Sequence, residues 1–320
     1  MKKYFLLCTV LCAMMVLTPL LSVEYIKYEK LNDESVPLFE EKNDTIKVML
    51  SNTGSVKEMN IREYVIGSVA GEMPSNYHSE ALKAQAVVSF TFAKYISLRD
   101  SEKLGGADIS DDSRVYQSYI DIDKRKERWK DDFEKNEKIV SEAVDAVLGE
   151  YIDYNGEPAM AVYFDKCYGR TESCENVWGR EVPYLIGVTS DGDKLAPDAQ
   201  SDVNFKDKEL ADLFGKNQID YKNSSETPIS VADRFDSGVV KTVLIGKKEI
   251  TGVRFREILD LKSADFKTGK TDGGYKITCY GNGHFVGMSQ YGADYMARQG
   301  SSYEEILSHY YPGTAVKNYS

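Results

Sequence analysis

The chain has little cysteine, no surplus of positive charge and, beyond its first two dozen residues, no long apolar run. Five cysteines in 320 residues are too few for a disulfide scaffold, and a body of this length can bury a core without one. Cys8 and Cys12 fall in the N-terminal apolar stretch and read as apolar fillers, whereas Cys167, Cys174 and Cys279 belong to the body. Forty basic residues against 51 acidic ones leave a formal charge of −11, with the basic residues dispersed. That excludes a nucleic-acid partner, which needs basic clustering. It also disfavours tight non-specific binding to anionic lipid heads. The densest mixture of both signs, residues 121–138, reads as a solvated face. No internal repeat and no long low-complexity segment is evident.

The N-terminus differs. Lys2 and Lys3 precede Tyr4–Val23, a stretch without charge that is long enough to cross a bilayer as a helix. A cleaved signal peptide is the rival, but its small-residue cleavage pattern is weak here. The reading is one uncleaved transmembrane helix within residues 1–23, its N-terminus inside and the body outside the cytoplasm. Residues 24–44 are charged and aperiodic and read as a stalk. The body is then 45–320.

Within the body, strands and helices alternate irregularly, which predicts an α+β fold rather than a doubly wound sheet. Val115–Ile120 is expected as a strand, and 134–148 as a helix capped by Gly149. Asn155-Gly156 between two strand-like runs predicts a hairpin with a type I′ turn. Residues 191–227 are polar and loop-rich and read as an excursion from the core, with a short helix at 208–214. Strands follow at 239–245, 248–253 and 275–280, and helices at 255–261, 287–298 and 303–310.

Residues 61–95 carry the most information. Ile61, Val65, Ile66 and Val69 recur at helical spacing; Gly71 breaks that helix, and Pro74 prevents its continuation. A second helix begins near Ser79 with the stripe Leu82, Ala86, Phe90 and Ala93, joined by Val87. Glu72 sits at the joint. The helix dipole and its apolar neighbours disfavour the ionised carboxylate there, which is what a general acid requires. By spacing alone, the favoured reading of Glu72 is a solvated loop carboxylate.

Two further runs offer chemistry. In residues 164–188, Cys167 and Cys174 are spaced Cys-x6-Cys, which is not the short zinc-knuckle spacing, so disulfide, metal and free thiols all remain open. In residues 281–314, glycines surround His284, and Gln290 and Tyr291 bring hydrogen-bonding and stacking groups suited to sugars. By composition alone His284 reads as a structural histidine; His309 reads as a packing residue and His78 as a surface one.

The run EYVIGSVAGEMPSNYHSEALKAQAV resembles the signature of the stage II sporulation protein D family. Gly169, Thr171, Glu172, Val177, Trp178 and Gly179 follow a second family stretch, and GNGHFVGMSQYGADYMARQGSSYEEILSHYYPGT a third. TGVRFREILDLKSADF at 251–266 resembles the family as well. Together these cover most of residues 45–314.

The resemblance implies a membrane-anchored lytic transglycosylase. It would cut the bond between N-acetylmuramic acid and N-acetylglucosamine in peptide-stripped peptidoglycan strands, leaving 1,6-anhydro ends, during engulfment of the forespore. Glu72 is then the catalytic acid/base, with Lys83, Thr171, His284, Ser289, Gln290 and Tyr291 around the sugar. The chemistry needs no cofactor, but some members hold zinc through cysteines of the second stretch. Cys167 and Cys174 would be its ligands here, with Asp165 third. Partners would be a cell-wall amidase and a membrane scaffold, in the mother-cell membrane facing the intermembrane space. The alternative is a non-catalytic glycan-binding module that enhances an amidase. A zinc hydrolase is a third class, short of an evident third ligand. Three departures bear on catalysis: Asp165 replaces a family histidine, Phe285 a family glycine, and Phe90 an arginine that no aromatic can imitate. Either Lys83 or Arg170 then supplies the cation, or substrate handling differs.

Overall fold

The computed structural model describes residues 45–319. Its helices, in chain order, are α1 (Ile61–Glu72), α2 (Ser79–Asp100), α3 (Ile122–Trp129), α4 (Phe133–Asp145), α5 (Cys174–Trp178), α6 (Asp207–Lys216), α7 (Gly252–Leu259), α8 (Gln290–Arg298) and α9 (Tyr303–Tyr310). Strands are short and form several small sheets, of which none among the described residues exceeds three strands. The class is α+β.

Among the described residues two main hydrophobic cores follow from this order, beside a small cluster of Phe164, Cys167, Val239, Ala264 and Phe285. The larger surrounds α2, against which α1, α4, α8, α9 and the strand Glu150–Tyr154 all pack. The expected stripe of Leu82, Ala86, Val87, Phe90 and Ala93 is buried, and burial continues round the helix to Ala84, Gln85, Ser89 and Thr91. The smaller core is built from residues 205–279, with Phe205, Leu210, Phe214, Phe255, Phe266 and Ile277 at its centre. The stretch 191–227 contributes to it directly. Gln200–Lys206 is an outer strand of the sheet with Phe266–Thr271 and Gly274–Tyr280, and α6 buries Leu210 and Phe214. The Asn155-Gly156 turn has φ of 56° and 90°, as a type I′ turn requires.

Helix α1 begins at Asn60, whose side chain accepts the N–H groups of Arg62 and Glu63. Gly71 does not break it; the helix runs to Glu72 and is capped at Met73, ahead of Pro74. The glycine permits a close approach instead. A Cβ on Gly71 would lie 3.0 Å from that of Ser118, and one on Gly67 would lie 2.4 Å from the Tyr119 ring and 2.6 Å from the Ile120 carbonyl. The segment 115–120, expected as a strand, is thus an irregular stretch lying across a helix. Its Val115 and Tyr116 N–H groups turn back to the Asp112 carbonyl, and its Ile120 N–H donates to the Gly67 carbonyl of α1 at 3.1 Å. Gly67→Ala is expected to cost about 1–3 kcal/mol by overpacking. Urea unfolding measures it, and an unchanged midpoint would mean that this segment does not rest on α1.

The transmembrane helix requires correction. Among the described residues no helix is long and apolar enough to cross a membrane. The longest, α2, carries Glu80, Lys83, Lys94, Arg99 and Asp100. The apolar stretch and stalk expected at 1–23 and 24–44 lie outside the described residues. The structure therefore does not support the single-pass anchor or the membrane localisation, and neither is carried further.

Candidate glycan site at the end of helix α1

Glu72 is half-buried, and its Oε1 accepts the Ser118 N–H at 2.5 Å. The glycine notches in α1 make this bond possible, because they bring segment 115–120 within reach. The Tyr163 hydroxyl lies near this carboxylate; burial, then the charge of Glu72, push the phenol well above its usual pKa, so it remains a donor. Tyr163 in turn approaches Gln117 Oε1 at 3.3 Å, and Gln117 Nε2 donates to the Ser89 carbonyl at 3.1 Å. On α2, Gln85 donates to Ser89 Oγ at 3.0 Å, and Gln290 Nε2 donates to Gln85 at 3.2 Å. A buried polar thread thus joins the end of α1 to the start of α8.

The loop after Glu72 is clamped to α8 by charge. Asp294 accepts the His78 N–H at 2.6 Å and pairs with Arg298 at 2.7 Å, and Arg298 also donates to the Asn76 carbonyl at 3.0 Å. The Tyr77 ring meets Tyr291 edge-on at 6.4 Å. The strand Tyr163–Phe164 runs parallel to Met288–Ser289, and the Tyr291 N–H donates to the Asp165 carbonyl at 3.0 Å. The three sequence runs therefore meet around Glu72, Tyr163 and Tyr291.

Several expected site residues are occupied elsewhere. Lys83 pairs with Glu80 at 2.7 Å, and Glu80 in turn holds the Tyr303 N–H at the start of α9. Thr171 is fully buried, with its hydroxyl accepting the Val188 N–H at 2.8 Å. Ser289 caps α8 and donates to Asp193 at 2.8 Å in the interior. Gln290 is buried in the thread described above. Phe90 packs edge-on against Tyr319, with Lys94 Nζ 5.3 Å from its ring. Arg170 is exposed and donates to the Gly187 carbonyl at 2.8 Å.

His284 is wedged between Trp178 at 4.9 Å and Phe164 at 5.7 Å, and its Nδ1 accepts the Val286 N–H. Desolvation, then the charge of Arg256, push its pKa from 6.5 down to about 3. The fold therefore holds a neutral imidazole, and the unfolded chain binds a proton that the native state refuses below about pH 6.5. Stability attributable to His284 is present above that pH and is lost progressively toward pH 3. His284→Asn is expected to flatten the acid limb of a plot of melting temperature against pH; parallel curves would place the imidazole in solvent. Next to it, Phe285 adopts φ 68°, a left-handed conformation suited to the glycine that the resemblance implies. Its ring is buried against Phe164.

The zinc set is not gathered. Cys167 donates its Sγ–H to Asp193 at 2.8 Å in the interior, Cys174 packs in the larger core, and both are free thiols. Burial, then the charge of Asp193, push the Cys167 thiol well above its usual range, which disfavours a metal-binding thiolate. Asp165 instead accepts Asn282 Nδ2 at 2.9 Å and faces Lys166 at 3.4 Å. Among the described residues no group of three or more His, Cys, Asp or Glu could hold a metal ion. As placed, Cys167, Cys174 and Asp165 do not fit zinc.

The opening beside Glu72 is a pocket of about 300 Å³, lined by Gly71, Glu72, Met73, Pro74, Arg128 and Trp129. Arg128 donates to the Ala70 carbonyl at 2.5 Å, a cation at the negative end of α1. Sequence reasoning missed Arg128 and Trp129, because they lie inside a charged stretch that reads as solvated surface. The available signal was an aromatic, Trp129, set among the charges of that stretch.

A family model described as stage II sporulation protein (SpoIID) matches residues 50–154. Stage II sporulation protein D of Bacillus amyloliquefaciens is 34% identical over 281 residues, 88% of this chain and 80% of that protein. The same protein of Bacillus subtilis (strain 168) is 32% identical over 333 residues, covering 99% and 96%. An amidase enhancer of Bacillus subtilis (strain 168) is 27% identical over 305 residues, covering 79% of this chain and 40% of the enhancer. With such identity across nearly the whole of both chains, and with the matched region containing Glu72 and Ser118, this chain belongs to the SpoIID family of stage II sporulation proteins.

Proposed function

We propose that this chain binds peptidoglycan glycan strands in the pocket beside Glu72 and thereby assists a cell-wall amidase. The observation that carries the reading is the pocket itself: one carboxyl group, one guanidinium and one indole line a space of sugar dimensions. Sugar sites combine an aromatic face with a few oriented polar groups. The likeness to an amidase enhancer supports the amidase as partner, and neither reading below routes a step through a metal.

The placing of Glu72 favours a second reading, cleavage by lytic transglycosylation. Glycosidases that activate water use two carboxylates, and Glu72 is the single one lining this pocket. One acid suffices if the sugar supplies its own nucleophile. Glu72 would protonate the glycosidic oxygen and then accept the proton of the muramic C6 hydroxyl as it closes on C1 to give the 1,6-anhydro end. Incubating the purified chain with amidase-stripped strands tests both readings. Sedimentation with the glycan and no new ends supports the binding module, and anhydro ends seen by mass spectrometry support cleavage. Failure to associate with any glycan overturns both.

A further inference from the structure

Outer strands leave backbone N–H and C=O groups unpaired, and folded chains blunt them with short length, bulges, charges or cover. The outer strands of most described sheets have five residues or fewer; Ile229–Arg234 is longer, but its pairing is broken by register shifts. Phe266–Thr271 lends its Phe266 carbonyl to the Arg234 guanidinium. Gln200–Lys206 has none of these devices: it is seven residues long, lacks proline and pairs in unbroken register with Gly274–Tyr280 on one side. Its open side follows from that ladder. The Gly281 N–H donates to the Ala199 carbonyl at 2.7 Å and the Asp207 N–H to the Gly273 carbonyl at 2.8 Å, one at each end of the pairing. Bonded pairs of an antiparallel ladder fall on every second residue, so Ser201, Val203 and Phe205 turn their backbone groups to the neighbouring strand. Gln200, Asp202 and Asn204 turn theirs outward, as does the Lys206 N–H, and among the described residues nothing hydrogen-bonds them.

The side chains of this strand complement a second copy of it. Phe205 is buried, Val203 on the same face is 37% exposed, and Asp202 on the other face is held by Lys276 at 2.9 Å and Thr278 at 2.6 Å. Antiparallel pairing over the full strand places a twofold axis at Val203, where valine meets valine. That position is a non-bonded pair, in which side chains come closest. Asp202 then stands opposite Asn204, and Lys206 opposite Gln200, so like charges do not meet; Asp202 lies diagonal to Lys206. Parallel pairing in register would instead set Asp202 on Asp202 and Lys206 on Lys206. We infer that two copies of this chain pair antiparallel through Gln200–Lys206, with Val203 on the axis, and join their three-stranded sheets into one. Such a contact is isologous and closes at a dimer. One strand of this length buries less than the roughly 1,200 Å² of a stable interface, so the association is weak and follows protein concentration. It does not depend on what the pocket beside Glu72 binds.

The test follows the full chain by sedimentation and by residue-resolved hydrogen exchange. It is made at about 0.15 M salt, where a Debye length of about 8 Å limits repulsion between two chains of formal charge −11. Protection of the Gln200, Asp202, Asn204 and Lys206 amides is expected to rise with protein concentration, in step with the dimer mass. The Ser201, Val203 and Phe205 amides are expected to stay protected throughout. Val203→Lys and Val203→Glu each put like charges on the axis and are expected to weaken association at least about tenfold, with thermal melts matching the parent's. An equal mixture of the two variants is expected to restore it, because opposite charges then face each other. The exchange measurement on the parent chain needs no variant. Exchange at the outward amides that is independent of concentration overturns the inference, as does association that survives both variants or is not restored by mixing. Protection that appears only when an amidase is added gives this edge to another chain's strand and overturns self-pairing as well.

Discussion

Replacing Glu72 by Gln is expected to abolish any release of 1,6-anhydro ends while leaving the fold and the association with glycan in place. Glutamine keeps a carbonyl oxygen at the position that accepts the Ser118 N–H, so the bond orienting the side chain survives. It removes the dissociable proton. Loss of a positioned general acid typically lowers a rate by about 10²- to 10⁴-fold. The measurement is mass spectrometry of strand ends, made beside sedimentation with stripped glycan and a thermal melt. Cleavage retained in Glu72→Gln would move the acid to another residue. A parent chain that binds glycan but yields no anhydro ends would leave the Glu72 pocket as a binding site, the role of an amidase partner.

The second large effect concerns Arg125, which lies in the stretch that reads as a solvated face yet is fully buried. Its guanidinium donates to Glu137 at 2.9 and 3.0 Å, to Glu63 at 2.8 Å and to the Ile120 carbonyl at 3.0 Å. It ties α1, α3, α4 and the 115–120 segment at one point. Arg125→Leu removes the cation that bridges Glu63 and Glu137 and leaves both carboxylates without that partner. Breaking a buried ion pair from one side costs about 3–5 kcal/mol. Glu63 and Glu137 keep 38% and 21% of their side-chain surface, so water reaches them and the lower end of that range applies. In a body of this size the melting temperature is expected to fall by about 6–12 °C. Adding Glu137→Leu should return part of it, because the stranded charge goes too. A shift under 2 °C in the single variant would mean that the cluster is solvated. Because Arg125 seats α3, loosening it should also weaken glycan binding through Arg128 and Trp129.

Local features were legible where local physics decides them. The stop of α1 ahead of Pro74, the start of α2 near Ser79 and the apolar period of both helices follow from neighbouring residues. Tyr303–Tyr310 is framed by a capping box between Ser302 and Glu305, and Asn155-Gly156 needs nothing beyond its neighbours to turn. Glu72 at a helix end was legible for the same reason.

What a side chain does depends on what the rest of the chain brings to it. Gly71 reads as a break and is a notch for Ser118; Arg125 reads as solvated and is enclosed; 115–120 reads as a strand and crosses a helix. Thr171, Ser289 and Lys83 carry the right chemistry for a sugar site but spend their hydrogen bonds on the fold. The sequence by itself therefore determined the family, the α+β class and the acid at the end of α1, since these reside in contiguous patterns. Only the tertiary structure decided which residues share the pocket with that acid. Arg128 and Trp129 stand more than fifty residues from Glu72, and nothing short of the packed chain places them beside it.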